Sequence, residues 1–503
     1  MTLDVVRNDP AAAYREALAQ LGAGSPGTAL PILRALHGLW PARIEVQYAF
    51  GIACIQLGDA TLAEGMRALL GACHVQPALL STLLQQGAVF LHARMSQAAI
   101  ASFEVYVTKN PQHAEAWNML GVAQNQAGRF DLAVSAFERC LSLQPLQELA
   151  WANLGNSLFR TGDRSRAMQC YERSLQISPE NVETRWNRSL CLLALGRLRE
   201  GLAAFEVRWL RKHHELFAGR VIHAVPRWTG SEPIQGRRIL LYAEQGLGDT
   251  IQFVRYAKAV KERGARVLIE IPQSLASLIS HSLGAEFTVI TSGDHVGDID
   301  YQCPLMSLPL ALDSMPDSTE FKEPYLRVRD QSLEHWRSTL GPKRRLRAGI
   351  IWSGGISDPL RNVPLVTLAQ FAHLNLELIG LQPELQPGDA DLIAAIPNLL
   401  WLGDQIRDFD DTAALMALCD VIITVDTASA HLAGALGRPS FLMLQLGADW
   451  RWFDERADSP WYPTFSIFRQ QRFGDWSSVV TNVMHALQDM VHDGEPPLGS
   501  GGL

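Results

Sequence analysis

The chain has 503 residues, 47% of them hydrophobic and 19% charged, which is too long for one ordinary core and too apolar for disorder, so two or three globular domains are expected. A formal net charge of -8 argues against a general nucleic-acid binder, which needs a positive field to neutralise phosphates. The opening "MTLDVVRNDPAAAYREALAQ" has no basic stretch followed by an apolar one, and no later run is long and apolar enough to cross a bilayer. The seven cysteines have no C-x-x-C pair, so a cytoplasmic protein with reduced packing cysteines is expected, without a disulfide or zinc framework.

In chain order, the first elements repeat. "AEAWNMLGVAQNQAGRFDLAVSAFERCLSLQP" aligns with "ELAWANLGNSLFRTGDRSRAMQCYERSLQISP": Trp117 falls on Trp151, Gly121 on Gly155, Ala133 on Ala167, Phe137 on Tyr171 and Pro145 on Pro179, each step being 34 residues. That is the period of a helix–turn–helix unit, and the pattern resembles the tetratricopeptide (TPR) repeat. Small residues let paired helices approach, and large ones fill the gap. Pro111, Ala99 and Phe103 keep the register one unit back, and Phe205 keeps it forward, although Gly201 stands where alanine is expected. About five helical pairs are therefore expected between residues 11 and 210, within a repeat domain spanning 1–215. Such a solenoid either binds a peptide or only braces the second half of the chain. Asn153 and Asn187 share one repeat position, while Met119 breaks the series with Asn118 beside it. Side-chain amides at Asn118, Asn153 and Asn187 are candidates for holding an extended backbone.

Residues 216–236 read as a linker. Beyond it, apolar β-rich runs ("RRILLYAE", "ARVLIEIP", "EFTVIT", then "RAGIIWSG", "LELIGLQ", "NLLWLG", "DVIITVD", "PSFLML") alternate with helical stretches. Alternation of that kind predicts parallel sheets covered on both faces, in two doubly wound α/β subdomains at 237–335 and 346–490, with a tail at 491–503. Ligands of such sheets bind beyond the carboxyl ends of the strands.

Two strand ends draw attention. In "VIITVDTASAHLAGALGRP" a helix begins just after Asp426, so Thr427, Ala428 and Ser429 present free N–H groups suited to a phosphate, with His431 in the first turn. The plainer alternative is that Asp426 and Thr427 merely cap a helix and His431 is an ordinary surface residue. In "AEQGLGDTIQ", Gly246 and Gly248 give a tight turn beside Gln245, and Asp249 is either the acid of a capping box or a group exposed to the cleft, or both. The third glycine of a dinucleotide fingerprint is Ile251 here, which weakens a nicotinamide-cofactor reading despite Glu270 at the next strand end. "DFDD" at 408–411 reads as a helix cap rather than a metal site, and "KRRLR" at 343–347 as a solvated linker. No His or Cys cluster has metal-ligand spacing, so no metal is expected.

With "LLYAEQGLGDTIQFVRY", "GIIWSG", "RDFDDTAALMALCDVIITVDTASAHLAGALGRP", "DWRWF", "SPWYP" and "GDW" assembled, the second half resembles the GT-B glycosyltransferases. It is most similar to the heptosyltransferases of glycosyltransferase family 9 and their TPR-fused bacterial relatives, including those that glycosylate flagellin. The resemblance implies an inverting, metal-independent transfer from a nucleotide sugar to Ser or Thr of a protein held by the repeats, with no cofactor. It implies Asp249 as general base, and donor contacts at Trp352, Ser353, Gly354, Arg361, Gln382, Asp426, Thr427, Ala428, Ser429 and His431. An acceptor-side loop at Gln245, Gly246 and Gly248 is implied as well. "SGGISDPLRNVPL" departs from the longer polar loop of these relatives. Two alternatives stay open: a transferase acting on a lipid-linked or lipopolysaccharide acceptor, and a TPR scaffold with a degenerate GT-B half.

Overall fold

The computed structural model describes residues 8–211, 225–315, 323–354 and 358–493, together with Val6. The expected linker falls partly, and the tail mostly, outside the described residues. Contacts divide the chain into two compact units, 1–184 and 185–503.

The first unit is built of helical pairs: α1 (Pro10–Gly22) with α2 (Pro26–Leu39), α3 (Ile44–Leu57) with α4 (Asp59–Val75), α5 (Leu79–His92) with α6 (Ser96–Lys109), α7 (Ala114–Gln126) with α8 (Phe130–Leu143), and α9 (Glu148–Arg160) with α10 (Arg164–Ile177). The repeat spacing has a direct steric cause. A Cβ on Gly87 would lie 2.7 Å from the Phe103 ring, one on Gly121 2.6 Å from Phe137, and one on Gly155 2.6 Å from Tyr171. Each glycine thus seats the aromatic ring of its partner helix. Between neighbouring repeats, the Trp117 indole N–H donates to the Pro111 carbonyl at 3.0 Å, and Trp151 repeats the bond to Pro145 at 2.9 Å. Where the signature fades toward the N-terminus the pairing persists, with Gly51 seating Leu69 instead of a ring.

A sixth pair, α11 (Val182–Ala194) and α12 (Leu198–Phe205), goes beyond the five expected. Gly201 packs on Leu193, and Trp186 on Phe205 with ring centroids 4.6 Å apart. After α12 a 3-10 turn, Glu206–Leu210, carries Arg208 into the α/β region. There Arg208 makes a two-pronged pair with Glu244 (Nε to Oε2 2.8 Å, Nη2 to Oε1 2.9 Å) and also reaches Ser307 and Glu206. The Glu244 side chain is completely buried. This ion pair, with the Ser307–Glu206 and Arg227–Glu206 bonds, ties the segment just before residue 211 to the α/β region.

The α/β region holds two parallel sheets. Around β1 (Arg238–Tyr242) lie β2 (Arg266–Ile271), β3 (Thr288–Thr291) and β4 (Tyr301–Pro304), in the order β3-β2-β1-β4. The second sheet has β5 (Leu346–Ile350), β6 (Leu376–Gly380), β7 (Leu399–Trp401), β8 (Val421–Val425), β9 (Ser440–Leu444) and β10 (Phe465–Arg469), in the order β10-β9-β8-β5-β6-β7. Every ladder is parallel, as apolar runs covered by helices require. β4 and β10 lie outside the eight strands legible in the sequence: both are edge strands, and neither carries a long apolar run. In the second sheet the chain winds from β5 outward through β6 and β7, then returns beside β5 with β8. The carboxyl ends of β5 and β8 therefore flank a topological switch point, the crevice where ligands of open α/β sheets bind.

Candidate functional site

At the end of β5, Trp352 turns inward and is 1% exposed, its indole N–H donating to Asp389 at 2.8 Å. Its place is in the core of the second sheet rather than on the crevice. Ser353 N–H donates to the Gln382 side chain at 3.0 Å, and Gly354 N–H to Asn362 at 2.9 Å. Gln382 is thereby a buried brace for the β5 loop. At Gly354 a Cβ would crowd the Thr427 and Arg361 side chains, at 3.0 and 3.1 Å. Arg361 crosses the switch point and donates to the Asp426 carbonyl at 2.9 Å. Of the altered loop, residues 355–357 lie outside the described residues.

At the end of β8, Thr427 in extended conformation starts the next helix, Ala428–Ala435, without a side-chain cap. The N–H groups of Ala428 and Ser429 have no acceptor within the helix. The Ser353 and Thr427 hydroxyl oxygens are buried without hydrogen-bond partners among the described residues. Burial, aided by Asp449, pushes the Asp426 carboxyl up to about 6. His431 is 5% exposed, so the surface-residue alternative does not hold. Its Nδ1 meets the Tyr462 hydroxyl at 2.9 Å, and its ring stacks on Trp452. Burial first, then Arg451 and Arg255, holds its pKa well below the ordinary histidine value, so the imidazole is neutral.

The loop after β1 meets this helix start. The helix Leu247–Phe253 begins with a capping box in which the Asp249 carboxylate accepts from Gly246 N–H at 2.9 Å. A Cβ on Gly248 would lie 2.7 Å from His431 Cδ2 and 3.4 Å from Ala428 Cα. Gly248 thus lets the two helix starts touch, a stronger requirement than the tight turn read from the sequence. Gln245 and Gly246 lie on the open side of that turn, Gly246 being exposed. The second Asp249 oxygen pairs with Arg451. Burial raises the Asp249 pKa, Arg451 opposes the rise, and Asp449 adds to it. The carboxylate is therefore a cap whose second oxygen reaches Arg451 in the turn after β9.

Arg451, Asp449, Gln252 and Tyr462 complete the site and carried no assigned role in the sequence. "DWRWF" and "SPWYP" were visible there, but a partner 202 residues away was not. Other assignments resolve locally. Asp408 caps a helix by accepting from Asp411 N–H at 3.0 Å, as "DFDD" suggested. "KRRLR" is not wholly solvated: Arg347 is 4% exposed and bonded to Glu377 at 2.6 Å, because it lies within β5. In the first unit, Asn118 is buried and bonded to Glu115 and Asn153, each at 3.4 Å, so these amides bridge neighbouring repeats. Asn187 belongs to the second compact unit. Among the described residues no group of three or more His, Cys, Asp or Glu is arranged to hold a metal ion, and no helix is long and apolar enough to cross a membrane.

Compared with known proteins, the description "Tetratricopeptide repeat" matches residues 84–148 and 148–181. Protein FlbA of Caulobacter vibrioides is 25% identical over 356 residues, covering 62% of this chain and 56% of FlbA, so the chain spans about half the length of that curated relative. Among solved structures, a glycosyl transferase family 9 protein from Veillonella parvula is similar at 11% identity and a TM-score of 0.41, covering 52% of this chain and 99% of that one. A MamA protein from Desulfovibrio magneticus is similar at 22% identity and a TM-score of 0.22, covering 34% of this chain and 94% of that one. The chain therefore carries tetratricopeptide repeats in its N-terminal region, followed by a parallel-sheet α/β region.

Proposed function

We propose that this chain is a glycosyltransferase that moves a sugar from a nucleotide-sugar donor to a Ser or Thr hydroxyl of a protein held by the repeats, a flagellin-like secreted subunit being the favoured acceptor. The observation that carries the reading is the meeting of two helix starts through Gly248, which sets the Asp249 carboxylate beside the crevice at the ends of β5 and β8. In the transfer, Asp249 takes the proton of the acceptor hydroxyl while its oxygen attacks the anomeric carbon. The bond from that carbon to the phosphate oxygen breaks, and the nucleoside diphosphate leaves. The N–H groups of Ala428 and Ser429 receive its charge, with Arg361 nearby. Neutral His431 has its Nδ1 on Tyr462, leaving Nε2 to contact a phosphate or sugar hydroxyl.

The test is thermal unfolding with UDP, GDP, ADP, CMP and their common sugar conjugates. A nucleotide at 100 times its Kd stabilises by roughly 2.7 kcal/mol. One nucleotide shifting the α/β transition, with the shift lost in His431→Ala, supports the reading and names the donor class. No shift with any of them favours a second reading, a non-catalytic scaffold, to which the engagement of both Asp249 oxygens also lends weight. Acceptor presentation is tested by removing residues 1–184, which leaves the Arg208–Glu244 pair intact. An unchanged rate on the protein acceptor then contradicts presentation by the repeats.

A further inference from the structure

We propose that Arg451 is a positioning residue for Asp249, setting both the direction and the charge state of that carboxylate. The inference rests on the reading of Asp249 as the base. Arg451 stands in the turn after β9, on the opposite α/β subdomain, and is buried. Its Nε donates to Gln252 at 2.7 Å, its Nη1 to Asp449 at 2.8 Å, and its Nη2 to Asp249. Gln252 and Asp249 sit three positions apart on one helix face, so a single guanidinium grips that helix at two points. Trp450 backs the cation, its ring centroid 4.4 Å from the guanidinium carbon. All three nitrogens are engaged in a fixed plane, a geometry lysine cannot reproduce.

The charge balance around Asp249 makes the arrangement consequential. Arg451 and Asp449 face it from the turn after β9. Asp426 and neutral His431 lie at the end of β8 and on the helix beyond, Glu244 precedes it in its own loop, and Arg255 follows its helix. Glu244 is already paired with Arg208. Among the described residues Arg451 is thus the cation in direct contact with Asp249, and Asp449 competes for it.

Carbodiimide coupling of Asp249 to an amine, followed across pH 4–8 by mass spectrometry of its peptide, reads the charge state without needing substrate, because the protonated carboxyl is the form that reacts. In Arg451→Gln the labelling midpoint is expected to move to higher pH by about one unit or more, in line with the loss of an adjacent cation. In Arg451→Lys it returns part of the way. In Asp449→Asn, which keeps an acceptor for Arg451 but removes the neighbouring negative charge on a partly exposed side chain, it moves to lower pH. Opposite movements in variants that melt cooperatively support the assignment, since mere loosening of the turn moves both in one direction. An unchanged midpoint in both Arg451→Lys and Asp449→Asn overturns it, even if Arg451→Gln fails to fold. If no nucleotide binds, the transferase reading fails on its own test while the labelling result stands. With a donor in hand, Arg451→Lys is expected to lower kcat with little change in donor KM, and to shift the acid limb of the pH profile with the labelling midpoint.

Discussion

The repeat unit and the α/β site are held together over very different sequence distances. In the repeats, Gly121 meets Phe137 and Gly155 meets Tyr171, so each decisive contact closes within one 34-residue unit and recurs in the next. At the site, Arg451 meets Asp249 across 202 residues, and Arg255 reaches the Trp461 carbonyl across 206. Local, repeated contacts tolerate the loss of any one unit's signature, as the Gly51–Leu69 pair demonstrates. Singular long-range contacts have no second copy. Substitutions in the repeats should therefore produce graded losses of stability, whereas those at the site should produce sharp losses of chemistry or of cooperative folding.

The largest expected effect is at Asp249. Asp249→Asn keeps much of the cap but removes the base, and transfer should fall by roughly 10²–10⁴-fold while nucleotide binding persists; a wild-type rate would refute the base assignment. Next comes Arg208→Ala, which leaves Glu244 buried without its cation. Breaking such a pair costs about 3–5 kcal/mol, to be read from denaturant unfolding of a chain lacking residues 1–184. Gly121→Ala should destabilise the repeat unit by about 1–3 kcal/mol through overpacking against Phe137, leaving the α/β transition in place. A matching loss in the α/β transition would break the comparison.

Asp426 gives a smaller, pH-dependent effect. Its pKa is raised to about 6 in the folded protein, above the ordinary value near 3.9, so between those values the folded state binds more protons than the unfolded one. Its contribution to stability is complete below about pH 4 and is lost as the pH rises through about 6. Asp426→Asn should flatten that fall, and melting curves at pH 4, 5, 6 and 7 would expose an unchanged slope. Smallest is Trp117→Phe, which loses one indole hydrogen bond worth about 0.5–1.5 kcal/mol and should lower the first unit's melting point only slightly.

The order of elements was legible wherever packing imposes a period. Trp, Gly, Ala, aromatic and Pro recur at one spacing because each unit solves the same packing problem, and eight strands stood out because each carries a short apolar run alternating with helical stretches. Asp408 and Asp249 could be read as caps because capping is a contact over three residues. Other features were out of reach. Trp352 and Gln382 look alike in sequence whether they face a ligand or a core, and only tertiary packing put Trp352 in the core against Asp389 and Gln382 behind the β5 loop. Arg347 sits in a basic run but belongs to a strand. Asn118 and Asn153 looked free until neighbouring repeats brought them together. By itself, the sequence determined a repeat solenoid followed by parallel α/β layers and marked two strand ends as candidate binding points, since those properties arise from local periodicity and local hydrogen bonds. The tertiary structure alone decided that Gly248 seats His431, that Arg451 holds Asp249, and that Arg208 neutralises Glu244. Pairings across tens to hundreds of residues are set by how the layers pack, and no local pattern encodes them.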